Sequence, residues 1–225
     1  MVARLEELAA TGVAFTLVSE ELGERSFGAD TPRLVLDPID GSMNAKRGVP
    51  FFSVSLAVAE GPTMADVVFG DVFDFGTREE WTARRGEGAF LNGAPLTGPG
   101  PKEDGEILSF EATLTDSIAQ QIGDMVGFAP RTRVMGSLAL TLCHMAAGRV
   151  DAVCSLKPAR SVDIAAAQLL GDERELDAGR GKLLQARDDG ALGSGVDGGR
   201  LIPSFACSNH GLPLEPRGVF GEYDV

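Results

Sequence analysis

The segment Leu34-Val-Leu-Asp-Pro-Ile-Asp-Gly-Ser42 places two acids three residues apart, where an apolar strand gives way to a presumed helix. Carboxylates at a strand end are held by the sheet, so Asp37 and Asp40 form a rigid pair of oxygen donors. A hard divalent cation such as Mg²⁺ takes carboxylate, carbonyl and water oxygens, and the carbonyl of Ile39 offers a third donor from the same turn. The N–H groups of Gly41 and Ser42 then open a helix, where an anion can bind, and glycine lets a phosphate approach closely. The same spacing also fits an ordinary polar turn with a helix cap, because Asp, Pro and Gly favour such turns. An EF-hand does not fit: its alternating acids and closing Glu are absent.

Two further acidic positions could join this pair. Glu20-Glu21 ends the preceding apolar strand and would lie beside Asp37 if the two strands are sheet neighbours. Asp163 opens the apolar helix of Ser161-Val-Asp-Ile-Ala-Ala-Ala-Gln-Leu-Leu170, where an acid also answers the helix dipole. Taken alone, the Glu pair reads as solvated surface and Asp163 as a helix-dipole partner.

The elements that must position these residues follow from periodicity and punctuation. Val2, Leu5, Leu8 and Ala9 have helical spacing, with Gly12 as a stop. Val13–Val18 and Leu34–Leu36 read as short strands. Phe52–Ala59 alternates strictly, and Asp66–Phe73 is β-branched and aromatic. Glu80–Arg84 is another strand, and Asn92-Gly93 marks a tight hairpin. Residues 97–105 form a Gly- and Pro-rich connection. Beyond it strand and helix alternate: strand 107–110, helix 115–125, strand 133–135, helix 137–147 ending at Gly148, strand 150–156, and a helix through 164–170. Residues 188–199 are Gly-rich and read as a surface loop. The expected architecture is one compact mixed α and β unit in two halves, 1–105 with an antiparallel sheet and the metal motifs, and 106–225 with α/β alternation.

Composition limits the function classes. Of 225 residues, 33 are acidic and 20 basic, a formal net charge of −13. That field repels a nucleic-acid backbone, and no basic run offsets it locally. Mean hydropathy is +0.04, and no apolar run approaches the ~18–20 residues that span a bilayer. A soluble, cytoplasmic protein without membrane partners is expected. Cys143, Cys154 and Cys207 lack metal-binding spacing and read as free thiols. With only His144 and His210, neither a His-rich zinc site nor a Ser-His-Asp triad is supported.

In combination these segments resemble the inositol monophosphatase and fructose-1,6-bisphosphatase superfamily, and within it the archaeal-type bifunctional branch. The resemblance runs from about Val13 to about Leu184. It rests on Val18-Ser-Glu-Glu-Leu-Gly23, Leu36-Asp-Pro-Ile-Asp-Gly-Ser-Met-Asn44, Gly48-Val-Pro-Phe-Phe-Ser-Val-Ser55, Arg85-Gly-Glu-Gly-Ala-Phe-Leu-Asn-Gly93 and Arg160-Ser-Val-Asp-Ile-Ala165, in that order. It implies an αβαβα sandwich of the sugar-phosphatase type and a homodimer. It also implies a Mg²⁺-dependent phosphomonoesterase with two or more ions, acting on inositol monophosphate or a sugar bisphosphate such as fructose 1,6-bisphosphate. By position it makes Glu20, Asp37, Asp40 and Asp163 metal ligands, with the Ile39 carbonyl. Glu21 supports the metal-bound water or a further ion, and Asp40 and Ser42 orient that water. Gly41, Ser42, Gly136 and Ser137 contact the phosphorylated substrate, and Lys157 and Arg160 face its sugar or second phosphate. The implied reaction is direct attack of a metal-activated water on phosphorus, without a phospho-enzyme.

Two departures qualify the resemblance. The family carries an earlier helical segment with a Thr-x-x-Asp signature, and no acid before Glu20 substitutes for its Asp, so the chain reads as N-terminally shortened. Leu170-Gly-Asp-Glu-Arg-Glu-Leu176 stands where relatives often have an Ala-Gly pair before a strand. The alternative expectation is therefore a catalytically weak metal- or phosphate-binding relative.

Overall fold

A computed structural model describes residues 2–97, 105–111, 115–121, 129–155, 159–178 and 206–208. The expected surface loop at 188–199 and Lys157 lie outside the described residues. After α1 (Val2–Ala10), seven strands form one sheet in chain order: β1 (Phe15–Ser19), β2 (Gly23–Asp40), β3 (Ser53–Ala59), β4 (Val67–Asp74), β5 (Glu80–Arg84), β6 (Gly88–Leu91) and β7 (Ala94–Pro95). A short helix, α2 (Ser42–Arg47), separates β2 from β3. The turn between β6 and β7 holds Asn92 at φ 51° and Gly93 at φ 76°. Those values suit the twist of a tight hairpin, as the Asn-Gly dipeptide predicts.

The second sheet has the order β11-β10-β8-β9, with β8 (Ile107–Glu111), β9 (Arg131–Val134), β10 (Ala152–Ser155) and β11 (Ala206–Ser208). β8 pairs in parallel with both β9 and β10, while β11 runs antiparallel to β10. Parallel neighbours require crossovers, and α3 (Thr115–Gln121) lies in the one that links β8 to β9. α4 (Leu138–Ala146) and α5 (Ser161–Ala178) complete the described elements.

Layering follows from which faces are apolar. β3 alternates buried and half-buried residues along its length, as a strand facing a core on one side should. Val18, Val35, Ala57, Val72 and Trp81 of the first sheet meet Leu140, Leu142, Ile164 and Leu170 of α4 and α5 and Val153 of the second sheet in the main core. Leu5 and Ala9 of α1 cover Phe15, Leu17 and Leu36 on the opposite face of the first sheet. Ile118 of α3 packs on Leu108, Phe110, Ala152 and Cys154 of the second. The order α1, sheet, α4 and α5, sheet, α3 is the αβαβα sandwich. Truncating Leu140, which is fully buried, to Ala costs about 2–5 kcal/mol.

One close approach fixes the position of α5. A Cβ on Gly70 of β4 would lie 2.7 Å from the Ala166 carbonyl oxygen and 2.9 Å from its Cα. Only glycine lets the helix backbone seat there, one turn after Asp163.

The structure differs from the sequence expectation chiefly in β2 and α5. The strand expected at 34–36 runs from Gly23 to Asp40, through the polar stretch containing Gly28 and Pro32. Residues 23–27 pair with β1 in descending register and residues 33–36 in ascending register, so β1 lies between two arms of one strand. The outer arm is mostly exposed, which is why hydrophobic alternation did not mark it. α5 continues to Ala178, through Leu170–Leu176, the segment expected to stand in place of an Ala-Gly pair before a strand. No described helix is long and apolar enough to cross a membrane. Cys143 and Cys154 are free and buried, as expected.

Candidate active site

The ascending pairing of β1 with β2 sets Ser19 opposite Leu36, so the next residues on the two strands, Glu20 and Asp37, emerge at the same sheet edge. The first turn of α5 brings Asp163 to them. One carboxylate oxygen from each of Glu20, Asp37 and Asp163 lies within 4.8 Å of the other two. Asp37 is 2% exposed. Its Oδ1 accepts the Ile39 N–H at 3.0 Å, whereas its buried Oδ2 has no hydrogen-bond partner. Burial, and next the charges of Asp40 and Glu20, hold the Asp37 carboxyl well above the usual carboxylate range.

Asp40 stands behind this group, outside the three-acid cluster. Its Oδ2 accepts the Ser137 O–H at 2.5 Å and the Ala139 N–H at 2.8 Å, both from the start of α4. Burial pushes it up to about 6, against the lowering effect of the Ser137 hydrogen bond. Ser137, expected to face substrate, is buried and committed to Asp40 and to capping α4.

Arg160 is the cation of the site. Its Nη1 donates to Glu20 Oε1, its Nε to Asp163 Oδ2 at 3.2 Å and its Nη2 to Asp163 Oδ1 at 2.8 Å. Burial disfavours the guanidinium charge, but the two carboxylates outweigh it and the net shift is upward. The arginine expected to face a sugar or second phosphate is thus also the counter-charge of two expected metal ligands.

Gly41 precedes α2 in the left-handed region at φ 86°. A Cβ there would meet the Phe51 carbonyl at 3.0 Å and the Gly136 carbonyl at 3.2 Å, so the turn admits only glycine. Ser42 opens α2 and is exposed. Asn44, which the sequence reading did not single out, donates from Nδ2 to the Phe51 and Met135 carbonyls, both at 2.8 Å. It ties the Asp-Gly-Ser turn to the Gly136 junction; its place within the quoted motif was the available signal. Ile39 is 42% exposed and Glu21 is exposed in the turn after β1, outside the three-acid group.

This donor set fits a hard divalent cation. Every side-chain donor is a carboxylate, and one buried oxygen, Asp37 Oδ2, lacks any partner, as an acid awaiting a positive charge would. The residues that would hold the ion are Glu20, Asp37 and Asp163, with Asp40 adjoining.

A second group of three potential ligands joins Asp74, Glu79 and His144, also within 4.8 Å of one another. Asp74 accepts the Gly76 N–H at 2.7 Å and the Thr77 O–H at 2.9 Å, one on each oxygen. Glu79 holds Arg149 through both oxygens, at 2.5 and 2.6 Å.

Two sheets with helices between and outside them, and carboxylates gathered where strand ends meet a helix start, define a layered sandwich of the sugar-phosphatase type. The chain belongs to the inositol monophosphatase family, whose model matches residues 3–174. A fructose-1,6-bisphosphatase/inositol-1-monophosphatase of Methanothermobacter thermautotrophicus is 34% identical over 177 residues, covering 74% of this chain and 63% of the relative. The Nus factor SuhB of Pasteurella multocida is 30% identical over 216 residues, covering 90% and 70%. An IMPase of Thermotoga maritima shares the fold at a TM-score of 0.71 and 27% identity, covering 91% of this chain and 73% of that one. The chain spans less than two thirds of the length of the Methanothermobacter relative.

Proposed function

We propose that the chain is a Mg²⁺-dependent phosphomonoesterase that hydrolyses inositol monophosphate or a sugar bisphosphate such as fructose 1,6-bisphosphate by direct attack of water on phosphorus. The observation that carries this reading is the buried, unpartnered Asp37 Oδ2 among Glu20 and Asp163. When bound, Mg²⁺ would neutralise phosphate charge and acidify water. Glu20, Asp37 and Asp163, with Asp40 and the Ile39 carbonyl, would supply its oxygens. The Ser42 hydroxyl, exposed at the start of α2, and Asp40, locked by Ser137 and Ala139, would orient the water, with Glu21 supporting it. The turn at Gly41 and Ser42 and the Gly136 junction receive the phosphate, and Arg160 and Lys157 address the rest of the substrate. Phosphoryl transfer leaves little covalent work to side chains, so acids, amides and one arginine suffice.

A second reading, a metal- or phosphate-binding relative with weak catalysis, is favoured by Arg160, which already balances Glu20 and Asp163. Phosphate release from inositol 1-phosphate and fructose 1,6-bisphosphate, with and without Mg²⁺, separates the two. Mg²⁺-dependent turnover lost in Asp37→Asn and Asp163→Asn supports the first; a folded protein that binds Mg²⁺ without turnover supports the second.

A further inference from the structure

We propose that Glu111 is a positioning residue for Asp40, acting through the first turn of α4; the inference rests on the site reading above and adds a residue to it. Glu111 ends β8, is 4% exposed and belongs to none of the motifs. Its Oε2 accepts the Gly136 N–H at 3.2 Å and its Oε1 accepts the Thr141 O–H at 2.6 Å. Between those two donors lie Ser137 and Ala139, whose O–H and N–H hold Asp40. Residues 136–141 thus serve two carboxylates in turn: Gly136 and Thr141 face Glu111, Ser137 and Ala139 face Asp40. Asn44 fixes the same junction from the other side through the Met135 carbonyl. With Glu111 removed, the Gly136 N–H loses its acceptor and the Thr141 hydroxyl keeps only the Ser137 carbonyl of its own helix, so the turn that orients Asp40 is no longer tied to β8.

The chemistry of Thr141 makes the test selective. Its hydroxyl also lies 2.8 Å from the Ser137 carbonyl, so it can turn, donate there and accept instead. A glutamine at 111 can therefore accept from Gly136 and donate to Thr141, restoring the brace without the charge. Alanine cannot.

The experiment measures kcat and KM for Mg²⁺-dependent phosphate release from inositol 1-phosphate, together with amide exchange at Ala139. It uses the full chain, Glu111→Ala, Glu111→Gln, Asp40→Ala and, as a core truncation two strands over from Asp37, Val72→Ala. For Glu111→Ala, kcat should fall about tenfold to a hundredfold through misplacement of the site, with KM within about threefold. Ala139 exchange should be about tenfold faster in Glu111→Ala, approaching that in Asp40→Ala, since the first loosens and the second removes the acceptor's hold on that N–H. Glu111→Gln should recover both readouts, and Val72→Ala should lower Tm while moving neither. The proposal is overturned if Glu111→Ala keeps wild-type kcat and Ala139 protection, or if Val72→Ala at equal loss of Tm slows turnover as much. A wild type that releases no phosphate removes the phosphatase reading alone, and Ala139 exchange then decides the role of Glu111: faster in Glu111→Ala supports it, unchanged refutes it.

Discussion

Two clusters of potential ligands, each crossed by an arginine, share the same spacing and differ in what their oxygens lack. At Asp74, Glu79 and His144, both oxygens of Asp74 are taken by Gly76 and Thr77 and both oxygens of Glu79 by Arg149. The Arg149 hydrogen bonds hold the Glu79 carboxyl below its ordinary value, and burial, then Arg149, lowers His144, so the imidazole is neutral near pH 7. At Glu20, Asp37 and Asp163, Arg160 reaches only two of the three acids, and Asp37 keeps a buried oxygen without a partner. There burial and neighbouring charge raise Asp37 and Asp40 instead. Proximity of ligand atoms is common to both, and each holds one buried atom without a hydrogen-bond partner, His144 Nε2 in the first and Asp37 Oδ2 in the second; an unpartnered carboxylate oxygen belongs to the second alone. In the first cluster the acids are taken up by a turn and by an ion pair that joins the residue before β5 to the turn after α4; in the second an acid keeps an unpaired oxygen.

The largest expected contrast is in activity. Asp37→Asn and Asp163→Asn should each lower Mg²⁺-dependent phosphate release well beyond the roughly 10–100-fold that loss of an outer partner costs. Glu79→Gln should leave kcat within about threefold, because the side-chain partners of Glu79 are Arg149 and Thr77, not the three acids of the site. A loss of turnover in Glu79→Gln comparable to that in Asp37→Asn would erase the distinction between the clusters.

Next is metal affinity. Removing a unit positive charge from beside Glu20 and Asp163 should tighten Mn²⁺ or Mg²⁺ binding by about tenfold in Arg160→Met. The same substitution should lower Tm without metal, since the acids then repel one another without a counter-ion. Opposite signs in the two readouts are the signature; calorimetry and thermal melts supply them. Weaker metal binding in Arg160→Met would mean that the guanidinium assembles the cluster for the ion rather than competing with it. Arg149→Met should leave metal affinity unchanged and cost about 1 kcal/mol of stability, measured by denaturant unfolding.

The asymmetry also explains what was legible in the sequence. Asp37, Asp40 and Glu20 lie at strand ends and Asp163 at a helix start, so local punctuation located them without knowledge of packing. The strands β3, β4 and β5 and the Asn92-Gly93 turn were equally visible, because alternation and turn chemistry are local. The partners that give these acids their character are not. Ser137 and Ala139 reach Asp40 from 97 and 99 residues away, and Asn44 reaches Met135 across 91. Arg160 read as a substrate contact because nothing in its spacing reveals that Glu20, 140 residues earlier, lies beneath it. The outer arm of β2 carries polar residues, Gly28 and Pro32, and is held by backbone pairing to β1, which leaves no hydrophobic period to read.

The last effect expected is a pH dependence of stability that metal should remove. Asp40 has its folded value raised to about 6, and Asp37 is raised as well. A raised carboxyl binds its proton more tightly when folded, so its stabilising contribution is complete below the unfolded value. That contribution is lost as pH rises through the folded value. Metal-free protein should therefore lose stability between about pH 4 and pH 6 on account of Asp40, by roughly 2–3 kcal/mol at about 1.4 kcal/mol per unit, with Asp37 extending the loss higher. A bound divalent cation needs both groups ionised, so its addition should raise Tm little near pH 5 and most near pH 8. Glu79, lowered by Arg149, works in the opposite sense: its contribution is present above its unfolded value and lost in acid. Arg149→Met should flatten the acid limb of the stability curve and leave the neutral limb untouched. A neutral limb that persists at saturating Mg²⁺ would show that the raised carboxyls are not where the cation binds.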